Sequence, residues 1–423
     1  GWRKTLLTEF RDLKYARHPL APCVVLFYEV FANVEKASGI ICIETDDLLG
    51  GGIGPKFLDT LQSLRKRFNF GSWNSLMEHP REYGGRTLEQ KKDFSFHITM
   101  TRYLRERARE IRIERGRPDE ADATPGEITA MRGLSGNLNW ATREGMPQGA
   151  GDSSLLAQTL PLPKVKDLRE ANAALRRLIA NDVPIKILPI PLDELRGLVF
   201  TDASLGNSPG GGSQLSYIAC ATDSTLAQGK EAPVSILAYK SHRMTRSGSN
   251  TLYTESFSLS DGLAFMEWFT TWFGLVKSRT YDMRQRDTLN REIQVNSIMS
   301  TAESDLPELL AVSDSKSLFD NLIREQYTGA EKRAALEVCV IRDSLRSLGG
   351  TARWIPHEEN PSDGLTHLKG NTARLLQMMR DASFQLTLEE DELQKRKKYI
   401  EPRLVRRTLD RRTPSCPKIK ISP

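Results

Sequence analysis

A mixed α/β fold, with a five-stranded sheet flanked by helices behind a partial α+β half, is what this chain predicts. Three observations carry that expectation. Past residue 195, short apolar runs alternate with amphipathic helical stretches in the order β-β-β-α-β-α-α-β-α, which fits a mixed sheet with helices on its faces. The stretch Pro184–Leu195 separates this part from a half of different pattern. The chain has 423 residues, too many for one ordinary core, and its 39% hydrophobic content suffices for two or three.

Taken in order, residues 22–52 read as two strands and a turn. Cys23-Val-Val-Leu-Phe-Tyr is apolar, Asn33 to Ser38 is polar, and Gly39-Ile-Ile-Cys-Ile is apolar again before Asp46-Asp47. Residues 55–70 carry helical spacing in Phe57, Leu58, Leu61, Leu64 and Phe68. Strands follow near 82–86 and 93–98, then a helix over 99–109. Residues 125–142 form a helix with Ile128, Met131, Leu134, Leu138 and Trp140-Ala141 as core positions, and Val165 to Ile179 another. The Gly, Pro and Ser of 143–163 predict a loop.

The second part offers strands at Leu198-Val-Phe, Ser213 to Ala221 and Val234 to Tyr239, then a long helix from Thr254 to Val276. A strand at Leu309 to Val312 leads into a helix through Ile323. Glu331 to Leu348 is a helix stopped by Gly349-Gly350. A strand from Thr351 to Ile355 and a helix from Asn371 to Ala382 complete the set. Residues 277–308 are polar and irregular, an expected insertion.

The net charge of +6 is unevenly placed. From Lys395 to Pro423, eleven Lys and Arg against two acids give +9, which leaves −3 for the other 394 residues. A basic tail on a near-neutral body points to a polyanion partner, or to a solvated segment without specific role. No apolar stretch approaches the roughly 18–20 residues of a membrane span. The five cysteines are far apart and lack metal-ligand or disulfide-framework spacing, which favours a reducing, intracellular setting. The chain starts at Gly1 without a signal-peptide pattern, so a piece of a longer protein is expected.

Four acids sit in recognisable settings: Asp202 in VFTDAS, Glu255 in TLYTES, Asp314 in AVSDSKS and Asp363 in NPSDGLTH. Asp202 and Asp314 directly follow apolar strands, Glu255 lies in the first turn of the long helix, and Asp363 is near a helix start. A carboxylate at the end of an apolar strand is costly to hold unless a positive group meets it. Strands ending on one sheet edge can gather such residues, and an all-oxygen set suits Mg²⁺ or Mn²⁺. Two such ions roughly 3.5–4 Å apart can activate water and stabilise the leaving oxygen of a phosphodiester. Taken singly, each acid is as readily a helix cap or a solvated charge.

The segments VFTDASLGN, GGSQLSYIAC, ILAYKSHRMTRSGSNTLYTESFSLSDG, LLAVSDSKSLFDNL and ARWIPHEENPSDGLTHL resemble the ribonuclease H domain of copia-type LTR-retrotransposon Pol polyproteins. The resemblance spans 196–385 and implies a ribonuclease H-like fold. It also implies that Asp202, Glu255, Asp314 and Asp363 hold two Mg²⁺ or Mn²⁺ ions and cut the RNA strand of an RNA–DNA hybrid. His357, six residues before Asp363, resembles a loop histidine that assists proton transfer or product release. Lys240, His242 and Arg243 precede the glutamate, where they could touch phosphates or serve as ordinary surface charge. An intracellular setting, a cytoplasmic particle or the nucleus, goes with this reading; the number of copies in an assembly is left open.

In the first half, Asp46-Asp47 after an apolar strand resembles the YxDD hairpin of reverse transcriptases. LRKRFNFGSW, EYGGRTLEQKKDFSFHITMTRYL and MRGLSGNLNWAT follow in that family's order. The resemblance implies late palm over 1–112, thumb or connection over 113–195, and a basic, disordered tail over 386–423. Glu44 replaces the usual aromatic of the tetrapeptide, and Met146-Pro147-Gln148 replaces an Arg-Pro-Asp. The motif bearing the first catalytic aspartate is absent, so Asp46 and Asp47 are expected as a polymerase remnant, without unaided DNA synthesis. Two other readings stay open. One is a decayed element that only binds nucleic acid, through the tail and the Arg-rich stretch Arg102–Arg117. The other is an integrase or resolvase of related fold.

Overall fold

The computed structural model describes residues 2–31, 34–45, 47–277, 308–324, 331–387 and 389. Asp46, nearly all of the expected insertion at 277–308, and the tail past Thr387 apart from Glu389 lie outside the described residues.

The first region opens with α1 (Trp2–Asp12) and an antiparallel sheet ordered β1 (Ala16–Arg17), β2 (Val24–Phe31), β3 (Val34–Glu44), β4 (Asp47–Gly52). α2 (Pro55–Arg67) covers it. Val25 and Phe27 on β2, and Ile41 and Ile43 on β3, point to one face with the period of two that a strand imposes. They pack with Leu6, Phe10, Phe57 and Leu64. Leu58, expected in this core, is exposed on the far side of α2. A Cβ at Gly52 would lie 2.5 Å from the Phe57 ring, so only glycine lets helix and hairpin close together.

The middle region contains β5 (Arg81–Tyr83), β6 (Arg86–Gln90), β7 (Phe96–Thr99), α3 (Thr101–Arg107), α4 (Pro125–Glu144), α5 (Ala150–Ala157), α6 (Val165–Ala180) and β8 (Ile185–Ile187). Thr124 and Glu127 cap α4 reciprocally. Met131, Leu134 and Leu138 face Leu168 and Leu175 as the spacing predicts, whereas Trp140 is 40% exposed on the outer side of α4. Two further expectations are corrected. The stretch 143–163 is not a loop, since α5 occupies its centre with Leu155 and Leu156 buried. Its glycines serve close approach: a Cβ on Gly149 would meet Leu178 at 2.6 Å, and one on Gly151 would meet the Leu365 carbonyl at 2.8 Å. The stretch read as a boundary, Pro184–Leu195, holds β8, which pairs antiparallel with β7. Ile185 enters the core of the following sheet, which explains why so short a strand is retained.

That sheet has five strands: β9 (Arg196–Ser208), β10 (Gly212–Thr222), β12 (Ser235–Arg243), β13 (Leu309–Ser313) and β14 (Gly350–Trp354). Their order is β12-β10-β9-β13-β14; β12, β10 and β9 run antiparallel, and β13 is parallel to both β9 and β14. On one face, Val199, Ala219 and Ala311 pack under α7 (Thr251–Lys277) and the helix Lys332–Ser347. On the other, Leu198, Phe200, Ile218 and Val312 pack with Leu375, Met378 and Phe384 near the C-terminus. The mixed five-stranded α/β sheet is therefore as expected. A short pair absent from the sequence reading, β11 (Glu231–Pro233) with β15 (Ser383–Gln385), closes the second face.

Candidate metal centre

Register explains why distant acids meet. β9 pairs in parallel with β13 up to Thr201↔Ser313, so Asp202 and Asp314, the next residue of each, emerge side by side where that pairing stops. Asp202 does not follow its strand as expected; it lies inside β9, which continues to Ser208 against β10. Asn250 accepts the Tyr253 N–H at 2.8 Å and so caps the start of α7, placing Glu255 in its second turn. Asp363 begins a short 3-10 turn, Asp363–Leu365, pinned to the sheet from below. The Ser216 hydroxyl lies 2.8 Å from that of Ser362, and Asn360 donates to the Thr201 carbonyl at 2.9 Å.

Three overlapping groups of potential ligands result. Oxygens of Asp202, Glu255 and Asp314 lie within 4.8 Å of one another, as do ligand atoms of Asp314, His357 and Asp363, and of Asp202, Asp363 and His367. His357 Nδ1 is 3.0 Å from Asp363 and 3.8 Å from Asp314, with its ring largely in solvent. Thr366 donates its hydroxyl to Asp202 Oδ2, and it stands 2.9 Å from His367 Nδ1. Thr366 and His367 were not singled out in the sequence. Their signal was proximity: they follow Asp363 by three and four residues, one turn further on.

The electrostatics are those of a buried cluster of like-charged acids. Burial first, then the charge of Asp314, holds the Asp202 carboxyl well above the usual carboxylate range, while the Thr366 hydroxyl pulls the other way. Burial, then Asp202 and Asp314, raises Glu255 likewise. Burial is also the main cause that raises Asp314. Glu255 Oε2 is buried without a hydrogen-bond partner among the described residues, which costs about 1–3 kcal/mol. A hard divalent cation such as Mg²⁺ or Mn²⁺ would satisfy that oxygen and offset the repulsion, so the residues present fit the metal.

The remaining candidates lie elsewhere. Lys240, His242 and Arg243 are on β12. Lys240 and His242 both turn to Asp261, at 3.3 and 3.4 Å. Burial, then Lys240, lowers the His242 pKa. In the Arg-rich stretch, Arg117 is held by Glu127 and Arg102 by Glu106. Asp47 is exposed at the start of β4, opposite Glu44 in a tight hairpin, and belongs to none of the ligand groups among the described residues. No helix among the described residues is long and apolar enough to cross a membrane.

No protein-family model matches the chain, and no curated protein matches it in sequence. Among solved structures it is similar to the N-terminal RNase H domain of a Mycobacterium tuberculosis protein fused to maltose-binding protein. That match has a TM-score of 0.24 and 11% identity over 44% of this chain and 98% of the other. Asp202, Glu255, Asp314 and Asp363, not that likeness, carry the functional reading.

Proposed function

We propose that residues 196–385 form a metal-dependent ribonuclease H, which cuts the RNA strand of an RNA–DNA hybrid within a retrotransposon-derived Pol fragment. The observation that carries this reading is that overlapping ligand groups link four carboxylates, Glu255 with Asp202 and Asp314, and Asp363 with each of those two. Asp202, Glu255, Asp314 and Asp363 would hold two divalent ions, which when bound supply charge neutralisation at the phosphate and activation of water. The chain's own residues do the rest. Burial of Asp202 and Glu255 excludes bulk water and strengthens every charge interaction there. Thr366 orients the Asp202 carboxylate through its hydroxyl. His357, against Asp363 and open to solvent, is placed to exchange a proton between the site and bulk. Asp47 supports no such role, and the first half is read as a scaffold derived from a polymerase, without synthesis of its own.

The test is cleavage of an end-labelled hybrid by the full chain in Mg²⁺ or Mn²⁺, beside single-stranded RNA and duplex DNA. Cleavage confined to the RNA of the hybrid and abolished by chelation is expected. Hybrid binding without any cleavage would instead favour a nucleic-acid-binding remnant.

A further inference from the structure

The turn that bears Asp363 is held from two sides. On its sheet side Ser216 and Thr201 hold Ser362 and Asn360, and Ser241 adds a 2.6 Å hydrogen bond to the Leu365 carbonyl. Its other side touches α5 and α6, from the half of the chain before the sheet. Asp152 Oδ1 accepts the Lys369 backbone N–H at 2.8 Å. Asp152 Oδ2 accepts from Arg177 at 2.6 Å, Arg177 also donates to Glu170 at 2.7 Å, and Glu170 meets the Lys369 ammonium at 2.6 Å. Two acids and two bases thus form a closed, charge-balanced ring that spans both halves.

The ring grips the turn at its strained residue. Lys369 has φ 57°, the left-handed region that side chains other than glycine seldom adopt. Such a conformation persists where surrounding contacts over-determine it. Here both the backbone N–H and the ammonium of Lys369 are bound by residues of α5 and α6. One residue away, Gly151 lies so close to Leu365 that a Cβ would sit 2.8 Å from its carbonyl oxygen and 3.0 Å from its carbonyl carbon. Between these two contacts lie Thr366, which bonds Asp202, and His367, which shares a ligand group with Asp202 and Asp363.

We infer that Asp152 is a positioning residue that fixes the Asp363–Lys369 turn, so that the nuclease site is completed by the preceding half of the chain. The functional part of this inference rests on the ribonuclease reading; the positional part does not. It assigns the contact between α5 and the turn a role in placing Asp363, beyond joining two regions.

The experiment compares the full chain with D152A, D152N and G151A, reading hydrogen exchange over 363–370, Mn²⁺ affinity by electron paramagnetic resonance, and kcat and KM on the hybrid. D152A should speed exchange in 363–370 selectively, weaken Mn²⁺ binding about tenfold as loss of an outer support does, and lower kcat with KM unchanged. D152N should restore all three in part, because its amide oxygen still accepts the Lys369 N–H while its amide nitrogen no longer accepts from Arg177. G151A leaves Asp152 intact and should reproduce the D152A losses by pushing Leu365. Wild-type exchange and Mn²⁺ affinity in both D152A and G151A would overturn the inference, as would D152N being as impaired as D152A. If wild type fails to cut the hybrid while D152A still loosens 363–370, the ribonuclease reading falls and the positioning role stands.

Discussion

The hairpin before β4 and the middle of β9 present similar sequence, aspartate after an apolar run, yet their surroundings differ in kind. At β4, Asp47 is exposed, and it sits across from another acid, Glu44. At β9, Asp202 is buried with Glu255 and Asp314 close by, and burial drives all three carboxyls toward the protonated form. A solvated acid is stable where it is and asks for nothing. A buried cluster of like charge is unfavourable alone, and that unfavourable state is what a cation can relieve. The difference teaches that convergence and desolvation, not the residue type, mark the site.

The largest expected effect tests that contrast directly. Asp202→Asn should lower hybrid cleavage by roughly 10³-fold or more, as removal of a central catalytic group does, while Asp47→Asn leaves the rate unchanged. Both are read as initial rates in saturating Mg²⁺. Full activity in Asp202→Asn would place the chemistry elsewhere and dissolve the distinction.

His357→Ala should follow, with kcat lower by about 10²-fold and KM for the hybrid unchanged, the scale of a lost proton carrier. An unaltered rate would reduce His357 to an exposed neighbour of Asp363.

A subtler expectation concerns stability without metal. Because Asp202, Glu255 and Asp314 hold protons more tightly folded than unfolded, the folded state binds the greater number. Their stabilising contribution is complete at and below the ordinary carboxylate range, and it is lost as pH rises through their elevated folded values. In chelator, thermal melts should therefore fall on going from about pH 4 toward neutrality by this route. The slope should be shallower in the Asp202→Asn, Glu255→Gln double variant, which isolates these groups from the other acids. Adding Mg²⁺ at neutral pH should raise the melting temperature and release protons, read by calorimetry in two buffers. Identical pH slopes in wild type and the double variant would remove the electrostatic half of the comparison.

Much of this was legible in sequence where the pattern is local. The strand runs around Leu198, Ile218 and Val312 alternate or stay apolar as buried strands do, and α7 announces its length. The four acids could be named, but their meeting depends on the register Thr201↔Ser313, which no local pattern encodes. The misses share a cause. Gly149 and Gly151 read as loop residues, although they permit close packing against Leu178 and Leu365, partners far along the chain. Ile185–Ile187 is too short to stand out, since its stability comes from β7 and from the core beyond it. Thr366 and His367 look ordinary until the turn after Asp363 folds back onto Asp202.

The smallest expected effect sharpens the comparison from the quiet side. Asp47 has an exposed side chain in the hairpin that pairs β3 with β4. Replacing an exposed acid of this kind changes stability within about 0.5 kcal/mol. Asp47→Asn should therefore melt with wild type in chelator, while Asp202→Asn, which removes a charge from a buried like-charged group, melts higher. Mn²⁺ titration should likewise leave Asp47→Asn indistinguishable from wild type and weaken Asp202→Asn. Weakened Mn²⁺ binding in Asp47→Asn would mean that the hairpin takes part in a cation site after all. The two regions would then differ in degree of burial rather than in function.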